Sequence, residues 1–153
     1  MSETSRAVVL QPGEGRTFPF GQRPVRVLVE SAAAEGGIAV FEGSPEPGGP
    51  VPPPHRHHAY EEVFYILEGE MEFRLDDEVV RAGAGAAIAV PRGVAHSFAN
   101  PGPGAARMLV MLSPAHALAL VEGHAALVSA GGPPDPVKLQ ALYAQHYSEL
   151  LEP

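Results

Sequence analysis

The sequence predicts an all-β fold, a sandwich or barrel of antiparallel strands, followed by two α-helices at its C-terminal end. Three observations lead there. From Ala7 to about Leu112, short apolar segments are broken by Gly, Pro and Asp pairs at intervals of roughly ten residues, the rhythm of hairpin-connected strands. After Ser113 the apolar period changes to that of a helix. The chain has 153 residues, enough for one hydrophobic core and too few for two ordinary domains. A single domain over 1–153 is expected, with the barrel at about 7–112 and the helices at about 114–151.

Taken in order, the strand candidates are Val25 to Glu30, Gly37 to Glu42, Glu62 to Glu68, Glu70 to Asp76, Glu78 to Ala82, Ala86 to Val90, His96 to Asn100 and Arg107 to Leu112. Met71, Phe73 and Leu75 alternate with Glu72 and Arg74, which puts one side in the core and one in water. Gly69 and Asp76–Asp77 fall where hairpins must reverse, supplying positive φ or side-chain to backbone bonds. The segment GSPEPGGPVPPP, Gly43 to Pro54, favours a stiff extended loop, either a spacer or a rigid lip beside a pocket. Beyond the strands, Ser113 is placed to cap a first helix that Pro114 opens and Gly131–Gly132 can end. Asp135 caps a second, Pro136 opens it, and Leu139, Leu142, Tyr143, His146 and Leu150 form a stripe that must dock on an apolar surface, with the barrel wall available.

Composition narrows the chemistry. Ten basic against eighteen acidic residues give a net charge of −8, so nucleic acid and anionic membrane are poor partners. Without cysteine there is no thiolate nucleophile, Cys-ligated zinc or iron–sulfur cluster, and any metal must sit on nitrogen and oxygen ligands. The start MSETSRAVVL has no basic leader with a long apolar run, and no stretch is long enough to span a bilayer; a cytoplasmic protein is the expectation.

Three of the seven histidines stand in His55-Arg56-His57-His58, with Glu61 and Glu62 close behind. In a strand, residues two apart share a side at about 6.5 to 7 Å between Cα atoms, so His55 and His57 can converge on one ion. By the same period Glu62, Phe64 and Ile66 share one face, while Glu61, Val63, Tyr65 and Leu67 share the other; spacing alone leaves open which is interior. Further on, His96 stands in a strand-like run with Phe98 and Asn100 on its face.

The stretch GPVPPPHRHHAYEEVFYILEG resembles the first cupin motif, with Gly49, His55, His57, Glu62 and Gly69 at its fixed positions. The stretch from Gly85 resembles the second, through Pro91, Gly93, His96 and Asn100. The resemblance is strongest from Gly49 to Asn100 and implies a cupin jelly-roll barrel, with the helical tail similar to small single-domain cupins of the quercetin-dioxygenase-like kind. It implies that His55, His57, Glu62 and His96 bind one divalent transition metal, whether iron, manganese, cobalt, nickel, copper or zinc. It also implies that Glu62 doubles as the base that takes a substrate hydroxyl proton, and that the chain is a homodimer, for which the strand of Val63, Tyr65 and Leu67 is available.

Such a site would carry a charge of about +1 and leave positions open, which suits an enolate, a deprotonated flavonol or a carboxylate. Phe64, Ile66 and Phe98 would give apolar walls suited to an aromatic or polyketide-like substrate. The leading expectation is a quercetinase-type dioxygenase, an oxidoreductase; a non-oxidative cyclase, isomerase or lyase and a non-catalytic ligand-binding module stand beside it. A closed structural zinc is disfavoured because such sites usually recruit cysteine. His58, His116, His124 and His146 are expected to be surface or ordinary helical residues, Arg56 and Arg92 solvated, Tyr60 a packing aromatic, and Asn100 a turn-fixing residue.

Overall fold

The computed structural model describes residues 6–30, 36–129 and 132–152. Among these the chain forms β1 (Thr17–Phe20), β2 (Arg23–Val29), β3 (Ala39–Gly43), β4 (His55–His57), β5 (Glu61–Glu68), β6 (Glu70–Leu75), β7 (Glu78–Gly83), β8 (Ala87–Val90), β9 (His96–Ala99) and β10 (Arg107–Ser113). A short 3₁₀ turn, Ala115–Ala117, leads into helix α1 (Leu118–Ser129), followed by α2 (Pro136–Gln145) and a last strand β11 (Ser148–Leu150). The strands pair antiparallel in two sheets, β1-β2-β3-β10-β5-β8 and β11-β4-β9-β6-β7, which form a jelly-roll sandwich.

Alternation decides the interior. Along β5, Glu62, Phe64 and Ile66 are buried while Glu61 and Tyr65 are exposed, so the face carrying Glu62 is the inner one. On the facing sheet Met71 and Phe73 point inward. Phe64, Phe73 and Phe98 meet at ring centroid distances of 5.1, 5.2 and 5.9 Å, and Ile66 and Met71 beside them are fully buried. Gly69, at φ 75°, turns β5 into β6; a Cβ there would stand 2.8 Å from the Ala105 carbonyl oxygen, so the hairpin admits no side chain. At the next hairpin Asp76 takes φ 51° and its carboxylate accepts from the Ala95 N–H at 3.1 Å, tying the turn to the strand that brings His96.

The C-terminal part differs from expectation in three places. Ser113 is not a helix cap: it is the last residue of β10, and its hydroxyl donates to the Gly37 carbonyl at 3.0 Å. Pro114 occupies the cap position without a side-chain bond, and the helix proper begins at Leu118. The second helix is capped by Asp135, whose side chain accepts from Val137 and Lys138, but it ends at Gln145 and not near Leu150. Tyr147 adopts φ 54°, and Ser148 to Leu150 pair with His57 to His55 on the edge of β4. A three-residue β4 held by few backbone bonds gains an edge partner, which outweighs continuation of the helical stripe. Of the expected Gly131–Gly132 stop, Gly131 lies outside the described residues and Gly132 takes φ 75°. β1 was not expected; Pro19 obscures its pattern but is tolerated on a sheet edge, opposite Pro24.

Candidate metal centre

Each of the four motif residues arrives on its own pleat. β4 presents His55 and His57 inward with Arg56 between them, β5 brings Glu62, and β9 sets His96 directly opposite His55. All four are buried, and one ligand atom from each lies within 4.8 Å of the other three. His96 Nε2 stands 2.9 Å from Glu62 Oε2, and His57 Nε2 stands 3.5 Å from the same oxygen. Donors about 2.1 Å from one ion would be spaced about 3 to 4 Å apart, close to the His96–Glu62 and His57–Glu62 distances.

The outer nitrogens fix the direction of each ring. His55 Nδ1 donates to the Pro53 carbonyl at 2.7 Å, and His96 Nδ1 donates to the Val94 carbonyl at 3.0 Å. His57 Nδ1 lies 2.6 Å from Ser148 Oγ, whose own proton goes to the His146 carbonyl. With the proton on Nδ1 in each case, the three Nε2 lone pairs turn toward Glu62. Lone pairs and a buried carboxylate that face one another repel, and a divalent cation between them would relieve that repulsion. The donor set, nitrogen and oxygen alone, could hold such an ion.

Electrostatics agree. Burial pushes His55 down to about 3, and its neighbours His96 and His57 act in the same direction, while burial likewise lowers His57. Burial by itself would raise Glu62, but its contacts with His57 and His96 outweigh this and hold the carboxyl below the usual range. Without metal, acid destabilises the fold through His55. His55 is neutral when folded and protonates near pH 6.5 when unfolded, so the unfolded chain binds more protons and stability falls as the pH drops from about 6.5 toward 3. At pH 5 the loss from this residue is about 2 kcal/mol relative to neutral pH. Urea titrations of chelator-treated protein at pH 5 and pH 7 check it; equal midpoints would contradict it.

Ser148 was not singled out by spacing, because its part depends on β11. Ser148→Ala removes the acceptor of His57 Nδ1 and is expected to weaken metal affinity about 10- to 100-fold while sparing the fold. Competition with a chromogenic chelator measures it.

The cluster opens into a chamber of about 120 Å³ with mostly apolar walls. Phe64 and Phe98 line it as expected. Ile66 does not: one pleat farther along β5, it is fully buried in the core. The proline-rich segment forms a lip, since Pro45, Gly49, Pro50 and Pro52 all border the opening. Arg23 pairs with Glu46 at 2.6 Å beside it. Tyr60 is more than a packing residue; its ring stacks on His57 at 4.1 Å and its hydroxyl lies 3.2 Å from His57 Nε2. Burial, then the charge of Glu62, raises the Tyr60 phenol, so it stays protonated.

His124 is not an ordinary helical residue. It is buried, borders the chamber and hydrogen-bonds Tyr143 Oη through Nδ1 at 2.9 Å, and burial lowers it to about 4. No local pattern marks it, because the partner that defines it lies on another helix. His58 and His116 are exposed, His146 is half-buried, and none of them borders the chamber. Arg92 pairs with Glu61 at 3.1 Å, and the buried Arg56 Nε stands 3.7 Å from Glu149 Oε2, an ion pair too long to be a hydrogen bond. Asn100 fixes its turn: its amide donates to the Pro45 and Gly104 carbonyls and its oxygen accepts from Gly102.

A family model described as Cupin domain matches residues 43–112. Over 60 residues the chain is 38% identical to polyketide synthase CurC of Streptomyces cyaneus, an alignment spanning 39% of each chain and so well under half of that relative. Among solved structures, the polyketide cyclase RemF from Streptomyces resistomycificus matches with a TM-score of 0.60 at 26% identity, over 71% of this chain and 80% of that one. A predicted oxalate decarboxylase from Thermotoga maritima matches with a TM-score of 0.62 at 21% identity, over 70% and 99% of the two chains, a likeness of fold alone.

Proposed function

The chain carries a cupin domain, and from that premise we propose that it is a metal-dependent cyclase, acting without dioxygen on a small enolisable aromatic or polyketide-like compound. The observation that carries the reading is the buried set His55, His57, Glu62 and His96 opening into an apolar, aromatic-walled chamber. The similarities to RemF and CurC favour this over the quercetinase-type dioxygenase expected from the sequence. A divalent ion held by these four residues would polarise a bound oxygen and lower the pKa of the acid that carries it.

The protein's own groups do the rest. Glu62 Oε2 is engaged by His96 and His57, while Oε1 has no hydrogen-bond partner among the described residues. We assign Oε1 the proton removed from the carbon between two carbonyls of the substrate. The resulting carbanion attacks a further carbonyl elsewhere in the same molecule, forming the carbon–carbon bond that closes the ring, and Glu62 returns the proton to the new alkoxide. The hydroxyl so formed then leaves as water with the remaining proton of the attacking carbon, giving a carbon–carbon double bond. Phe64, Phe98 and Val110 exclude bulk water and hold the substrate flat enough for the two carbons to meet. The chamber admits about one ring; a longer chain would run out under the proline lip into the adjoining groove of about 650 Å³. The outward side of β5, where Tyr65 is exposed, is the face proposed for a homodimer.

The test is turnover of aromatic poly-β-ketones, which carry a 1,3-diketone and a further carbonyl within ring-closing reach, by metal-loaded protein with and without dioxygen, followed by mass spectrometry. A product lighter by one water, formed equally well anaerobically, is expected. Turnover that needs dioxygen, with labelled oxygen in the product, would replace the cyclase by the dioxygenase. Binding with no turnover under either condition would leave a ligand-binding module, for which Glu62→Gln should weaken binding only modestly.

A further inference from the structure

The chamber has a second polar feature, distinct from the histidine–glutamate cluster. His124 comes from α1 and Tyr143 from α2; both are buried, both border the chamber, and their side chains are joined at 2.9 Å. Tyr143 also stands edge-on to His55, ring centroids 5.4 Å apart, and His124 contacts Phe20 at 5.2 Å. The pair therefore runs from the rim of the cluster to the far wall. A hydrogen-bonded pair between two helices costs desolvation that two apolar side chains would avoid, so its presence in an otherwise apolar lining calls for a reason.

Position supplies one. His124 and Phe98 border both the inner chamber and the larger outer groove, as do Pro50 and Pro52, so His124 stands at the throat between them. Proton bookkeeping supplies another. His124 Nε2 has no hydrogen-bond partner among the described residues. If Tyr143 donates to Nδ1, the ring proton sits on Nε2 and can be offered to a ligand. If Nδ1 carries the proton and donates to Tyr143, the phenol hydrogen is the one left over. In either tautomer the pair retains one donor that is not consumed internally.

We propose that the His124–Tyr143 pair is a recognition site for a second oxygen of the ligand, a carbonyl or phenol at the end of the molecule remote from the His55/His57/Glu62/His96 cluster. The ligand class is thus an aromatic or polyketide-like compound oxygenated at both ends, with its apolar middle against Phe64 and Phe98. The inference rests on the proposed reading of the cluster as the place where the first oxygen binds, and it makes the helical tail a determinant of specificity.

A matched pair of probes tests it: 1-phenylbutane-1,3-dione and its para-hydroxyphenyl analogue, titrated calorimetrically into metal-loaded protein. The diketone end is common to both, and only the analogue has the remote oxygen. Wild type should bind the hydroxylated probe roughly three- to tenfold more tightly, the worth of one hydrogen bond. Of Tyr143→Phe and His124→Phe, the one that removes the free donor should bring that ratio toward one while leaving affinity for the plain diketone within about twofold, and a ratio unchanged in both overturns the inference. Should His124→Phe fail to fold, the wild-type ratio decides the matter. Equal affinity of both probes for wild type overturns the inference alone. A variant that weakens both probes equally shows that the pair only braces the helices, and also overturns it. If neither probe binds wild type, the reading of the cluster falls and takes this inference with it.

Discussion

Glu62→Gln is expected to lower turnover about 10²- to 10⁴-fold, the usual contribution of a positioned proton-transfer group. The amide keeps the shape of the carboxylate but neither its charge nor its basicity. Three neutral imidazoles then face a dication without the anion that balances it, so bound metal should fall as well. Stability of the metal-free protein should fall too. Contacts with His57 and His96 outweigh burial and hold the Glu62 carboxyl below its usual range, so the ionised side chain stabilises the folded chain at neutral pH and the amide gives that up. The metal-free variant is therefore expected to melt below the metal-free wild type, and the gain on adding metal shrinks. Steady-state kinetics, elemental analysis and calorimetry on the same preparation separate these effects. A variant that retains wild-type turnover would show that Glu62 is not the base.

Removing the ion from wild type should have the largest effect on stability. Metal binds only where β4, β5 and β9 have brought the four residues together, so it stabilises the folded chain by mass action. At a thousand times the dissociation constant this amounts to about 4 kcal/mol, and for a chain of this size to a melting shift of about 10 °C. Scanning calorimetry before and after chelation, with readdition of the metal, should show a reversible shift of that order. A melting temperature indifferent to chelation would mean that the cluster is held by protons alone.

How much of this was legible in the sequence depends on how local each cause is. The alternation along Met71, Phe73 and Leu75, the hairpin glycine at Gly69 and the cap at Asp135 are short-range, and the structure follows them. The HxH spacing of His55 and His57 already implied a shared side, and Glu62 lies on the inner face that period two could group but not orient. Long-range pairing was not legible. Tyr147 and Ser148 read as the end of an amphipathic helix, whereas the free edge of β4 converts them into a turn and a strand, and Ser148 thereby becomes the partner of His57. Likewise, nothing around His124 announces that Tyr143, nineteen residues later on another helix, turns it into part of the chamber wall. Ile66 shows the converse: the correct face of β5 is not sufficient, because depth along the strand decides between wall and core.

Four side chains holding one ion are best tested by the metal content of protein purified without chelators or a histidine tag, alongside the doubly substituted His55→Ala/His96→Ala chain. One transition-metal ion per chain in the wild type and essentially none in the folded variant is the predicted result. A wild type free of metal even after incubation with divalent ions, or a variant that keeps its metal, would contradict it.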